Sequence, residues 1–92
     1  MLFRSYVGPA GRGSRFSYGD VRLEVKPRDA AVFVDGYYAG VVDDFDGVFQ
    51  RLTLTVGPHR IEIEAPGCEP RAYDVYVEPT RTADIHDRLF PR

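Results

Sequence analysis

The segment Ala31-Val-Phe-Val-Asp-Gly-Tyr-Tyr-Ala-Gly-Val-Val42 limits the possible folds most sharply. Asp35-Gly36 stands between two runs rich in β-branched and aromatic residues. A two-residue type I′ turn needs positive φ at both central positions, which Asp and Gly tolerate better than most residues. The segment therefore predicts a tight antiparallel hairpin.

The flanking sequence follows the same grammar. Strict alternation in Val21-Arg-Leu-Glu-Val-Lys26 puts Val21, Leu23 and Val25 on one face. Pro27, which has no N–H for a ladder, ends that strand. Ala31–Asp35 predicts a second strand with Val32 and Val34 inward, and Tyr37–Val42 a third. Asp43-Asp-Phe-Asp-Gly-Val48 reads as an acidic loop. Gln50–Val56 resumes the alternation, with Leu52, Leu54 and Val56 inward and Thr53 and Thr55 outward. Gly57-Pro58 turns the chain into Arg60–Glu64, where Ile61 and Ile63 point in. Beyond the Pro66, Gly67 and Pro70 loop, Ala72–Val77 points Tyr73, Val75 and Val77 inward. Thr82–Leu89 does the same with Ala83, Ile85 and Leu89. Asp87 falls on the inward face of this last strand, which calls for a bulge or an exit from the core. No window holds a helical period. The expectation is an all-β fold: a small antiparallel β-sandwich of about seven short strands, immunoglobulin- or prealbumin-like, with one polar face per sheet.

Ninety-two residues fit one domain. The twelve basic and fourteen acidic residues nearly balance, and no basic stripe stands out, which argues against a nucleic-acid partner. Residues 1–19 carry Arg4, Arg12 and Arg15, no acid, and four glycines without periodicity. They read as a flexible or loosely docked arm, leaving residues 20–92 as the sandwich domain. No apolar stretch after Arg4 suits a signal peptide, and no run is long enough to insert in a membrane. Cys68 is alone, so no internal disulfide forms. It reads as a small half-buried loop residue rather than a thiol nucleophile, for which only His59 and His86 could serve as partners.

Taken together, Pro27-Arg-Asp-Ala30, Val32-Phe-Val-Asp-Gly36, Gly40, the Gly57-Pro-His59 turn and Pro66-Gly67 resemble the PEGA domain family. The family is named for a Pro-Glu-Gly-Ala motif before its second strand; here Pro27 and Ala30 match and Arg28-Asp29 do not. Cys68 stands where the family commonly has an aromatic residue. The resemblance covers roughly residues 20 to 89. It implies a small β-sandwich module of bacterial or archaeal proteins, related to surface-layer repeats and often appended to secreted, membrane-anchored or kinase proteins. It also implies a place at the cell envelope and no inherited catalytic residues.

Two constellations are candidates for binding. Asp43, Asp44 and Asp46, with Asp35 possible as a fourth group, could offer oxygen ligands to a hard cation such as Ca²⁺. The EF-hand pattern fails, however: Val42 holds its first position and Thr53 its twelfth. The competing reading is an Asx-rich turn that caps backbone N–H groups near Gly47. The second constellation is Phe33, Tyr37, Tyr38, Phe45, Phe49 and Tyr76. Several of these alternate outward, and aromatic faces rimmed by carboxylates suit sugar rings or a protein partner. The competing reading folds Phe45 and Phe49 over a sheet edge and pairs the tyrosines across strands. His59, beside Pro58, reads as an exposed turn residue, and His86 as outward on the last strand. Together they make only two ligands for zinc.

No P-loop, dinucleotide fingerprint or nucleophile elbow occurs, and nothing marks two of the fourteen acids as a catalytic pair. The functional expectation is a non-catalytic envelope module that contacts polysaccharide or protein through an aromatic surface. The alternative is a spacer that positions a neighbouring domain and binds nothing. The last strand offers an open edge, and the arm carries Phe3, Tyr6 and Phe16, so weak self-association through either is also expected.

Overall fold

The computed structural model describes residues 17–47 and 50–92, in which strands dominate. The first is β1, Tyr18–Lys26. The hairpin partners are β2, Ala31–Val34, and β3, Tyr37–Val41. A short 3-10 turn, Val42–Phe45, follows. The rest are β4, Leu52–Thr55; β5, Gly57–Glu64; β6, Arg71–Val77; and β7, Thr82–Arg88. They form two sheets, ordered β4-β1-β7 and β3-β2-β5-β6. The chain is a small all-β sandwich.

The hairpin forms where the Asp-Gly pair predicts it. Asp35 has φ 50° and Gly36 φ 89°, and Val34 pairs directly with Tyr37. Four strand pairings are antiparallel, but β1 and β7 run parallel, from Asp20 opposite Thr82 to Lys26 opposite Arg88. A parallel pair needs a long crossover. Here the whole intervening chain supplies it, so the pairing departs from a purely antiparallel sandwich.

The inward faces meet as one core. Val21, Leu23 and Val25 of β1 pack with Val32 and Val34 of β2 and with Ile61 and Ile63 of β5, all at most 1% exposed. Leu52, Leu54, Val77, Ile85 and Leu89, with Ala30 and Val42, complete it. Each aliphatic side chain so buried contributes roughly 1.5–3 kcal/mol of transfer free energy, which makes this core the main source of stability.

Three local features differ from the sequence-based expectation. Strand β1 begins at Tyr18, so Gly19 belongs to the sheet and is buried. Val56 is only half-buried, and Gly57 instead opens β5 on its inward face. Asp87 points inward without any bulge, since the β1–β7 register runs unbroken through it.

Candidate functional site

The six aromatic candidates do not share one surface. Phe33 and Tyr38 lie opposite each other on the outer face of the four-stranded sheet. Their rings meet edge-to-face, with centroids 5.7 Å apart at 68°. Tyr38 is 58% exposed, and Glu62 of β5 sits opposite Phe33 on its other side. Tyr76 is 64% exposed but lies on the far edge strand, opposite Pro58. The opposed charges Arg60 and Asp74 separate it from the Phe33 rung. Tyr37 is exposed too, but it pairs with the inward-facing Val34 and so belongs to the end of the sandwich. Phe45 turns inward against the core. Phe49 lies outside the described residues, as do Val48 and the arm residues Phe3, Tyr6 and Phe16.

Within β3, a bulge decides which of the two adjacent tyrosines faces outward. Val32 pairs with Gly40 but Phe33 with Tyr38, leaving Ala39 as an extra residue. An extra residue resets which face the following side chains occupy. Gly40 then points inward at φ 147°. A Cβ there would come within 2.8 Å of the Asp44 carboxylate and 3.3 Å of the Phe45 ring. Only glycine lets the 3-10 turn fold back this closely.

The acidic residues are engaged locally. Arg28 binds Asp43 at 3.0 Å and Asp46 at 3.3 Å. Its guanidinium is held above its ordinary value, first by the hydrogen bond to Asp43 and then by the charges of Asp43 and Asp46. Asp44 accepts the Val41 backbone N–H at 3.0 Å. Asp35 lies elsewhere, at the hairpin tip. Among the described residues, no three His, Cys, Asp or Glu side chains gather closely enough to hold a metal ion. The loop is a capped turn with an arginine between two of its carboxylates, rather than a convergent ligand set.

His59 is not an exposed turn residue. It is 9% exposed, because the inward parity of Ile61 and Ile63 extends back through His59 to Gly57. Its Nδ1 lies 2.5 Å from Asp35 Oδ2. Its Nε2 lies 2.7 Å from the Thr55 carbonyl oxygen and 3.2 Å from Thr55 Oγ1. The other Asp35 oxygen accepts the Arg60 backbone N–H at 2.8 Å. One carboxylate thus ties the hairpin tip to β5, and the imidazole carries the link on to the end of β4. The signal was present in the alternation, but the Gly-Pro pair ahead of His59 masked it.

Asp35, His59 and Thr55 are the residue types of an acid–base–hydroxyl triad. Their geometry differs from a working one. Nε2 faces the Thr55 carbonyl more closely than the hydroxyl, and the ring is sealed into the corner. Neither the groove beside Arg88 nor the one beside Cys68 includes His59 or Thr55. The trio acts as a clamp between strands.

A second polar link joins the two sheets at their open side. Tyr73 of β6 donates its hydroxyl to Asp87 of β7 at 2.6 Å, and Arg71 of β6 binds the same carboxylate at 3.0 Å. The Arg88 backbone N–H donates to the other Asp87 oxygen at 2.7 Å. Burial, then the hydrogen bond to Asp87 and its charge, push the Tyr73 hydroxyl up to about 12. The Tyr73 hydrogen bond, then the Arg88 N–H, hold the Asp87 carboxyl below its ordinary value, with Arg71 assisting. An inward Asp is stable here because β6 supplies donors across the gap. Cys68 is half-buried in the β5–β6 loop, where it bridges to Pro91.

No protein-family model matches this chain, and no curated protein and no solved structure matches it either.

Proposed function

We propose that this chain is a non-catalytic interaction module of the PEGA kind, carried by a bacterial or archaeal cell-envelope protein, which contacts polysaccharide or a protein partner through its Phe33/Tyr38 face. The observation that carries the reading is the edge-to-face pair on the outer sheet surface, in which Tyr38 is exposed and Phe33 half-buried, with Glu62 at its rim. Aromatic faces stack on the C–H groups of a sugar ring, and a carboxylate accepts its hydroxyl protons. The PEGA assignment draws support from what the shared residues do. Ala30 is fully buried before β2, Asp35-Gly36 makes the positive-φ turn, and Gly40 admits the 3-10 turn. His59 clamps the corner that follows Gly57.

A spacer that binds nothing is the second reading, favoured by the separation of Tyr76 and Tyr37 from the Phe33/Tyr38 pair. Co-sedimentation with isolated cell-wall sacculi and a polysaccharide panel separates the two. The interaction reading predicts retention that Phe33→Ala/Tyr38→Ala abolishes and Tyr76→Ala leaves intact, with both variants still melting cooperatively. Failure of the wild-type chain to be retained on any matrix would favour the spacer instead.

A further inference from the structure

The outer face of the three-stranded sheet is a ladder of neutralised charges, except at one end. Arg22 binds Glu24 at 2.5 Å and lies 3.9 Å from Asp84, the residue opposite it on β7. On the next outward rung, Glu24 faces His86, and their side chains meet at 2.9 Å. Arg51 lies 3.8 Å from Asp20 on the β4 side. The last outward rung breaks the pattern, because Lys26 stands opposite Arg88. Both side chains are exposed, and among the described residues neither has an acidic partner within ion-pair range.

Like charges placed opposite each other across a strand pair destabilise it. The nearby acids do not relieve this pair. Glu24 serves Arg22 and His86, Asp46 serves Arg28, and Asp87 is held by Tyr73, Arg71 and the Arg88 N–H. Lys26 and Arg88 also line an open groove of about 690 Å³, together with Arg28, His86 and the same three engaged acids, Glu24, Asp46 and Asp87. That volume lies in the range of small-ligand sites, roughly 300–1,000 Å³, and exceeds what a lone oxyanion would fill. A guanidinium fork beside an ammonium suits a phosphate or carboxylate group, with the remaining space for whatever carries it.

We propose that Lys26 and Arg88 form an oxyanion-binding site, which takes a phosphate or carboxylate group borne on a larger molecule such as an anionic polysaccharide. The site lies on the sheet opposite to Phe33 and Tyr38 and does not depend on that face. The unpaired cations are then a feature kept for a ligand, because a Gln or Thr at either position would remove their repulsion.

The full chain would be titrated with inorganic phosphate, with polygalacturonate and with neutral dextran, while backbone amide shifts and melting temperature are followed. The proposal predicts saturable shifts centred on Lys26 and Arg88 with at least one of the two anions and none with dextran. The anion that binds more tightly identifies the source. Lys26→Gln/Arg88→Gln should weaken binding about tenfold or more, since two charge-assisted contacts are lost. Added salt should weaken the wild type as well. Arg81→Gln, a distant exposed cation, should bind like wild type. Without anion at low salt, the double variant should melt no lower than wild type, and phosphate should raise the melting temperature of the wild type alone. Absence of binding by both anions, or equal binding by the double variant, would overturn the proposal.

Discussion

Replacing Tyr73 by Phe removes one oxygen and tests the inward Asp87 directly. In the native chain the hydroxyl donates to Asp87 at 2.6 Å across the open side of the sandwich. A hydrogen bond to a charged group contributes roughly 1.5–3 kcal/mol. The lower half of that range applies, because the Asp87 side chain keeps 22% of its exposure, its Arg71 partner at 3.0 Å and the Arg88 N–H. A loss of about 1.5 kcal/mol lowers the melting temperature by roughly 6–12 °C in a domain of this size. The pH dependence sharpens the test. The Tyr73 hydroxyl is pushed up from 10.0 to about 12, so its contribution is complete below pH 10 and fades as pH climbs toward 12. The Asp87 carboxyl is held down, so its contribution is present above its ordinary value and is lost as pH falls through the lowered one. Urea denaturation of wild type and Tyr73→Phe across pH should give a difference that is flat at neutral pH and closes at the alkaline end. A cycle with Asp87→Asn should show coupling of about 1 kcal/mol. A Tyr73→Phe stability within about 0.3 kcal/mol of wild type at pH 7 would refute the argument, since that is the scatter expected of independent sites.

Three further outcomes follow from the packing. Gly19→Ala would drive a Cβ into the Glu78 backbone oxygen and to 2.8 Å from Val77, so it should cost about 1–3 kcal/mol in urea denaturation; an unchanged midpoint would mean that Gly19 is not packed within β1. Asp35→Ala strips the carboxylate from the buried His59 ring and from the exposed Arg60 N–H, and a loss of about 1–3 kcal/mol is expected, chiefly at His59. Native-state hydrogen exchange should then speed up first at the hairpin tip and the start of β5. Calcium should leave the melting temperature unchanged, because Arg28 already binds Asp43 and Asp46; a saturable rise that Asp43→Asn removes would restore the cation reading.

Much of the sandwich was legible because its signals are local. Asp35-Gly36 specifies its own turn, and the parity of Val21, Leu23 and Val25, or of Ile61 and Ile63, needs no knowledge of partners. The β1–β7 pairing was not legible, since its two strands lie at opposite ends of the described chain and no turn links them. Gly19 follows the glycines of the arm in sequence, although what it answers to is the Glu78 backbone, a contact that exists only once the sheet has formed. His59 was hidden by the Gly-Pro pair ahead of it, even though its parity with Ile61 was readable. For the candidate site, the aromatic residue types were visible but their dispersal was not. The bulge at Ala39 resets the faces of β3, and sequence alternation alone does not announce a bulge that has no glycine at the extra residue. The charge clash of Lys26 and Arg88 depends on the parallel register and was invisible for the same reason as the pairing itself.

The proposed function has this chain hold a ligand without transforming it. The most direct measurement incubates the purified chain with cell-wall sacculi and soluble polysaccharides, then assays retention and release of new reducing ends in the same tubes. A non-catalytic module is retained, loses retention in Phe33→Ala/Tyr38→Ala and releases no ends, with wild type and His59→Gln alike in that respect. Release of products by the wild type that His59→Gln abolishes would contradict it and would turn the Asp35–His59–Thr55 clamp into a catalytic site.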